Sequence, residues 1–179
     1  LSGELFGSVI GNPPYGTDWK EFSKAIKADK SGRFNETRMP PVSDSQMLFL
    51  QHAVSHMKEN GVGSIVHNGS PLTSGDAGGA ESNIRKYLLK DLDVVQAIIQ
   101  LPQGIFFNTG ISTYVWVLNK SKPAHLKGKV ILVNAENMYE KLKKSLNKKT
   151  PQIWGVFILI IRMIIDFKGQ RGFAVFIGI

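Results

Sequence analysis

An α/β fold is the class this sequence predicts, a mixed sheet with helices on its faces and one antiparallel hairpin. Three observations predict it. Two short apolar runs, Phe6–Gly11 and Val62–His67, flank a segment whose apolar residues recur at helical spacing. Two further apolar and β-branched runs, Leu92–Leu101 and Ser112–Asn119, are joined by the turn-rich Pro102–Gly110 and read as a hairpin. Over 179 residues, 42% hydrophobic and 20% charged composition suits one globular domain with a substantial core.

The elements follow in order. Asn12-Pro13-Pro14-Tyr15 ends the first strand, because consecutive prolines withhold ladder donors. Gly16–Val42 is polar and aperiodic, a long loop with a short helix around Trp19–Ile26, and such a loop beside a site is usually functional. Ser43-Asp44-Ser45-Gln46 has the form of a capping box. After it, Met47, Leu50, Ala53, Val54 and Met57 keep helical spacing until Gly61 stops the run. Val62–His67 gives a buried strand bounded by Asn68-Gly69. A flexible Ser70–Gly79 leads into a helix around Ala80–Lys90. Past the hairpin, Val130–Val133 adds an edge strand and Glu136–Leu146 a short basic helix. Ligands of such sheets bind at the carboxyl ends of strands, and Asn12 stands at one.

The tetrapeptide at that end carries the chemistry. An aromatic amine conjugated with its ring is a poor nucleophile until its lone pair localises on nitrogen. The Asn12 side-chain oxygen and the Pro13 carbonyl are two acceptors able to take the amine's two protons and draw density onto nitrogen. The prolines fix φ near about −65° and bias the preceding residues toward extended geometry, so the acceptors are pre-set. Tyr15 offers a ring face, and base–aromatic stacking contributes roughly 1–3 kcal/mol. The competing reading of the same four residues is a strand ending in a proline-rich turn.

Composition sets the remaining bounds. A formal charge of +8 favours a polyanionic partner, DNA or RNA, through non-specific attraction. With no cysteine there are no disulfides or thiolate metal sites, which is compatible with a reducing compartment and with the cytoplasm. Leu1–Tyr15 lacks the basic start and long apolar run of a signal peptide. A first residue other than methionine, with a strand starting almost at once, reads as the start of a fragment.

Taken together, these positions resemble the DNA adenine (N6) methyltransferases, most closely the modification subunit of type I restriction-modification systems. The resemblance covers about Phe6–Asn134. Its landmarks are Asn12-Pro13-Pro14-Tyr15-Gly16, Asp44-Ser45-Gln46 with Phe49-Leu50, Gly61-Val62-Gly63 with Asn68-Gly69-Ser70-Pro71-Leu72, Gly78-Gly79-Ala80-Glu81 with Ile84-Arg85, and Leu101-Pro102 with Phe106-Phe107-Asn108-Thr109-Gly110-Ile111. The resemblance implies the C-terminal half of a Rossmann-like class I S-adenosylmethionine-dependent methyltransferase fold. It also implies methyl transfer from S-adenosylmethionine to the exocyclic amine of an adenine flipped out of the duplex, since the amine is unreachable inside the stack. Asn12, Pro13 and Tyr15 take the catalytic positions, with Pro14, Phe106 and Phe107 toward the substrate. For Phe106 and Phe107, core packing at a strand connection is the plain alternative, and at most one is expected to touch the base.

A Gly-rich cofactor turn of the Asp-Pro-x-x-Gly-x-Gly kind, which that family carries ahead of its Asn-Pro-Pro-Tyr, does not precede Phe6. Cofactor-binding residues are therefore unassigned, and the chain by itself is expected to be inactive. Gly75-Asp76-Ala77-Gly78-Gly79 lacks the spacing of a dinucleotide loop. The implied partners are DNA and the specificity and restriction subunits of a type I complex. Two alternatives remain: methylation of a protein glutamine amide, and a non-catalytic module for nucleic-acid binding or subunit assembly.

Other patterns point to less. His52 and His56 have metal-sharing i,i+4 spacing, but Ala53 stands where a zinc-protease helix needs glutamate, so both read as helix-surface histidines, with no metal site. His67 has no serine–acid pairing near it in sequence and receives no role. Lys120, Lys122, Lys127 and Lys129, with Lys141–Lys149, form a basic stretch suited to phosphate contacts or to a solvated surface. Residues 1–134 are thus the partial catalytic domain, and 135–179 a basic and then apolar segment. Ile153–Ile165 falls short of the roughly 18–20 residues that cross a bilayer, so no membrane span is expected. An altered reading frame or a docking segment accounts for it, and so apolar a patch would promote self-association.

Overall fold

The computed structural model describes residues 3–106, 110–140, 150–151 and 173–177. Strand β1 (Phe6–Asn12) leads through a 3-10 turn at Lys20–Phe22 into α1 (Ser23–Lys27) and then α2 (Gln46–Ser55). Next come β2 (Met57–Asn68), the single-turn α3 (Ser70–Thr73), and α4 (Ala80–Lys86), which continues into a π turn at Tyr87–Asp91. The remaining strands are β3 (Val95–Gln100), β4 (Thr113–Asn119), β5 (Ile131–Asn134), β6 (Tyr139–Glu140), β7 (Thr150–Pro151) and β8 (Phe173–Ile177).

The main sheet has the order β5-β3-β4-β2-β1-β8, and β6 with β7 forms a separate two-stranded pair. Only β4 runs against its neighbours β2 and β3; β1/β2, β1/β8 and β3/β5 are parallel. This is the mixed α/β sheet with an antiparallel β3–β4 pair that the sequence predicts. The solvent-exposed β5 lies at the outer edge as expected.

One sheet face carries the larger core. Val9, Ile65, Ile98, Trp116 and Leu118 meet Met47, Leu50, Ala53 and Val54 of α2 and Ile84 and Leu88 of the α4 segment. The helical spacing of α2 therefore does what its sequence suggests and packs one side onto the sheet. On the opposite face Ala97, Ile99, Val115 and Val117 cluster with Leu101 and Ala135.

Three expectations are corrected. The helix after Asp44 ends at Ser55 rather than near Gly61, and Met57 opens a strand instead. Phe6 donates its N–H to the His56 carbonyl at 2.7 Å and pairs with Met57, so β1 captures the chain before another helical turn forms. Between Met57 and Val62 the strand bulges against β1, where two residues answer five. Gly61 permits it, since a Cβ there would stand 2.9 Å from the Lys58 carbonyl and 3.1 Å from that of Phe6. The capping box is not closed either: the Ser45 side chain makes no cap, and Asp44 Oδ1 instead accepts the Gln46 N–H at 3.1 Å. The helix expected at Glu136–Leu146 is absent over its described part. Met138 N–H closes a turn on the Ala135 carbonyl at 3.0 Å, and Tyr139–Glu140 pairs as a strand with Thr150–Pro151. Residues 141–149 lie outside the described residues.

Candidate active site

Asn12 is the last residue of β1, exposed at the carboxyl edge of the sheet, with Pro13 buried directly behind it. The Tyr15 hydroxyl donates to Asn12 Oδ1 at 3.0 Å. Burial pushes the Tyr15 phenol up to about 12, so it stays protonated and remains the donor. An amide oxygen has two lone pairs. With one engaged by Tyr15, the other is free for an amine proton, and the side chain is held at its place rather than left to rotate.

The same edge gathers the other ends that the sequence pointed to. Because β1 and β2 are parallel with Gly11 opposite Ile65, the Asn68-Gly69-Ser70 turn emerges beside the Asn12 turn. Leu101 N–H bonds to the Thr113 carbonyl at 2.8 Å and closes the base of the β3–β4 loop on this edge. Phe106 in that loop is half-buried against the second core cluster, together with Ile105 and Val66. Phe107 lies outside the described residues.

Alongside the tetrapeptide is a cavity of about 510 Å³ whose wall includes Pro14. It opens between the long loop and the outer side of α2, with Trp19, Phe22, Phe34 and Phe49 as aromatic walls. Ser45, 5% exposed, lines it with a buried hydroxyl that has no hydrogen-bond partner among the described residues. The loop is anchored at several points: Ser45 N–H donates to the Thr17 carbonyl (3.0 Å), Trp19 N–H to that of Val42 (3.0 Å), and Trp19 Nε1 to that of Pro41 (2.9 Å). Arg33 pairs with Asp29, approaches His52 Nδ1 at 2.9 Å and lies over the Phe34 ring. Burial, then the charges of His56 and Arg33, lower the His52 pKa to about 4.

Sequence reasoning named none of these aromatic walls as site residues. Their signal was present: Trp19, Phe22 and Phe34 are large aromatics in an otherwise polar loop that has no strand or long helix to bury them. The histidines need correcting. His56 is buried, not on the helix surface, and its ring centroid is 4.3 Å from that of half-buried His52. Part of the basic stretch is structural as well. Lys122 is 6% exposed, holding Asp93 at 2.6 Å and the Lys129 carbonyl at 2.8 Å, while half-buried Lys120 donates to the Met57 carbonyl at 2.6 Å. Neither ammonium is presented to a phosphate; Lys127 and Lys129 are exposed, and Lys141–Lys149 lie outside the described residues.

A mixed α/β sheet with helices packed on it is the fold of class I S-adenosylmethionine-dependent methyltransferases. A solved structure of such an enzyme from Listeria monocytogenes, described as putative, matches 94% of this chain at TM-score 0.57 and 16% identity, which bears on fold alone. The chain belongs to the N-6 DNA methylase family, whose profile matches residues 2–177. It is 28% identical over 149 residues to the type I restriction enzyme MjaIX methylase subunit of Methanocaldococcus jannaschii, covering 82% of this chain and 26% of that protein. The type I restriction enzyme MpnII methylase subunit of Mycoplasma pneumoniae is 31% identical over 147 residues, again 82% and 26%. The type I restriction-modification methyltransferase subunit of Streptococcus thermophilus superposes at TM-score 0.71 with 29% identity, over 90% of this chain and 32% of that one. The chain thus spans about a quarter to a third of the length of these relatives. They favour neither the glutamine-amide nor the non-catalytic alternative.

Proposed function

We propose that this chain provides the amine-gripping part of a type I DNA adenine methyltransferase, acting on an adenine turned out of the duplex. The observation that carries this is Asn12 Oδ1, held at the carboxyl end of β1 by the Tyr15 hydroxyl, with buried Pro13 next in line. The extruded base's amine N–H groups donate hydrogen bonds to Asn12 Oδ1 and the Pro13 carbonyl, which localises the lone pair without a prior deprotonation; one proton leaves the nitrogen to solvent only after the N–CH3 bond has formed and the S–CH3 bond has broken. Tyr15, with Phe106 or Phe107 on the other side, supplies the aromatic contact that offsets the few kcal/mol of extrusion.

The methyl donor is S-adenosylmethionine, which brings an electrophilic methyl on a sulfonium. Its purine end would fit the cavity beside Pro14: aromatic walls suit a flat ring, and the Ser45 hydroxyl, without a partner among the described residues, suits one polar ring atom. Trp19, Phe22, Phe34, Ser45 and Phe49 are the residues that would hold it. Partners of this reading are DNA and the specificity and restriction subunits of a type I complex, in the cytoplasm.

The test pairs the full chain with the N-terminal part of a type I methylase subunit and measures tritiated methyl transfer to DNA. Transfer in the wild type, and its loss in Asn12→Ala with an unchanged circular dichroism spectrum, is expected. A folded Asn12→Ala protein that still methylates at the wild-type rate refutes the assignment.

A further inference from the structure

Gln46 is fully buried at the start of α2, and its side-chain amide has every major hydrogen-bonding position occupied. Nε2 donates to the Asp44 carboxylate at 2.9 and 3.1 Å and to Asn68 Oδ1 at 2.9 Å, while Oε1 accepts the Asn68 N–H at 3.0 Å. Asn68 Oδ1 in turn accepts the Ser70 N–H at 2.9 Å and shapes the turn that follows β2. The neighbouring Ser45 N–H holds the Thr17 carbonyl, at the far side of the Asn12–Tyr15 turn. The Gln46 side chain therefore ties the first turn of α2 to the turn that follows β2, and the adjacent Ser45 backbone N–H ties that same helix start to Thr17.

We infer that Gln46 is a positioning residue for methyl transfer, a clamp that fixes the Asn68–Ser70 turn against the first turn of α2, whose Ser45 N–H in turn holds Thr17 beyond the Asn12–Tyr15 turn, without touching substrate. The inference rests on the methyltransferase reading for its consequence and on the hydrogen bonds alone for the clamp. A neutral amide is required at this point because it must donate toward Asp44 and Asn68 Oδ1 while accepting from a backbone N–H, and no shorter or singly polar side chain does all three. Misplacing reacting groups by about 1 Å costs roughly 100-fold in rate, so a loosened clamp is visible in turnover.

The decisive variant is Gln46→Glu, which keeps the shape and the acceptor but presents an oxygen to two acceptors, Asp44 and Asn68 Oδ1. Ionised, it repels both Asp44 and Asn68 Oδ1; protonated, its single O–H donates to one of them, so the repulsion is relieved and the clamp returns in part. The other titratable groups nearby are Glu81, which shares the adjoining cleft with Asp44, and His67, buried next to Asn68, and both are common to variant and wild type. The readout is accordingly the ratio of variant to wild-type methyl transfer, below the melting temperature, in the paired-fragment assay. At pH 8 the ratio is expected to fall at least roughly tenfold, mostly in kcat, and to rise again, though not to one, as pH drops below about 6. Gln46→Leu should lose transfer at every pH.

Amide exchange at Ser45, Asn68 and Ser70 in the full chain, without DNA or cofactor, reads the clamp independently. Faster exchange in Gln46→Glu at pH 8 than at low pH, relative to wild type, supports it. If exchange responds in this way but the wild type transfers no methyl, the enzymatic reading fails and the clamp stands. A pH-independent ratio near one in folded Gln46→Glu, with unchanged exchange at the three amides, overturns the inference.

Discussion

His67 gives the sharpest physical prediction. It sits near the end of β2, wholly buried, with neither ring nitrogen hydrogen-bonded among the described residues and its ring edge-on to Trp116 at 6.2 Å. Burial lowers its pKa from 6.5 to about 3. Between those values the unfolded chain binds a proton that the folded chain excludes. The contribution is thus complete above pH 6.5 and is lost as pH falls toward 3. Each pH unit in that window is worth about 1.4 kcal/mol, so lowering the pH from 7 to 5 removes about 2 kcal/mol, a large share of a typical domain's stability. The assay is urea unfolding of wild type and His67→Leu at pH 7 and pH 5. Wild type should lose about 2 kcal/mol more than the variant, because leucine fills a similar volume and binds no proton. His52, whose pKa is also lowered, is present in both proteins and cancels in the difference. Equal losses in the two proteins would show that His67 is solvated or paired when folded, and the argument would fail.

The other predictions concern the site and its supports. Tyr15→Phe keeps the ring and removes the hydroxyl on Asn12 Oδ1, so a fall in kcat of roughly 3–10-fold with little change in DNA affinity is expected from filter binding and methyl-transfer kinetics. Tyr15→Ala should weaken binding of extruded-base DNA by about 1–3 kcal/mol as well. Phe49→Ala should weaken S-adenosylmethionine binding by calorimetry in the paired-fragment protein, leaving the melting temperature of the chain nearly unchanged if the ring lines a cavity rather than the core. Gly61→Ala should cost about 1–3 kcal/mol in urea unfolding, since its methyl meets two backbone carbonyls that cannot rotate away. Lys122→Met, which leaves the partly exposed Asp93 without its ammonium, should cost about 1–3 kcal/mol, less than a fully buried pair would, and the cost should shrink as Asp93 protonates at low pH.

The fold was legible where a local period decides it. Val9, Ile65, Trp116 and Leu118 lie in runs too apolar and too short to be anything but buried strands, and the α2 spacing that named Met47, Leu50, Ala53 and Val54 named true core residues. It was misread where a distant segment competes for the backbone. Nothing local at His56-Met57 says that the helix must stop there; the stop comes from Phe6, fifty positions earlier, whose N–H takes the His56 carbonyl. The same holds at Tyr139-Glu140, where pairing with Thr150-Pro151 replaces a helix that composition favoured.

At the proposed site, the residue types alone determined which hydrogen-bonding and stacking groups are on offer. An asparagine, two prolines and a tyrosine in that order offer two acceptors and an aromatic face whatever surrounds them, because those properties are covalent. The tertiary structure decided what no spacing records. It turned the Tyr15 hydroxyl onto Asn12 Oδ1, raised aromatic walls from Trp19, Phe22, Phe34 and Phe49, and left the Ser45 hydroxyl unpaired among them. It also buried Lys122, His56 and His67, all of which a sequence would place on the surface or leave without a role. Burial and partnership are sums over residues far apart in the chain, so they exist only once the sheet has closed.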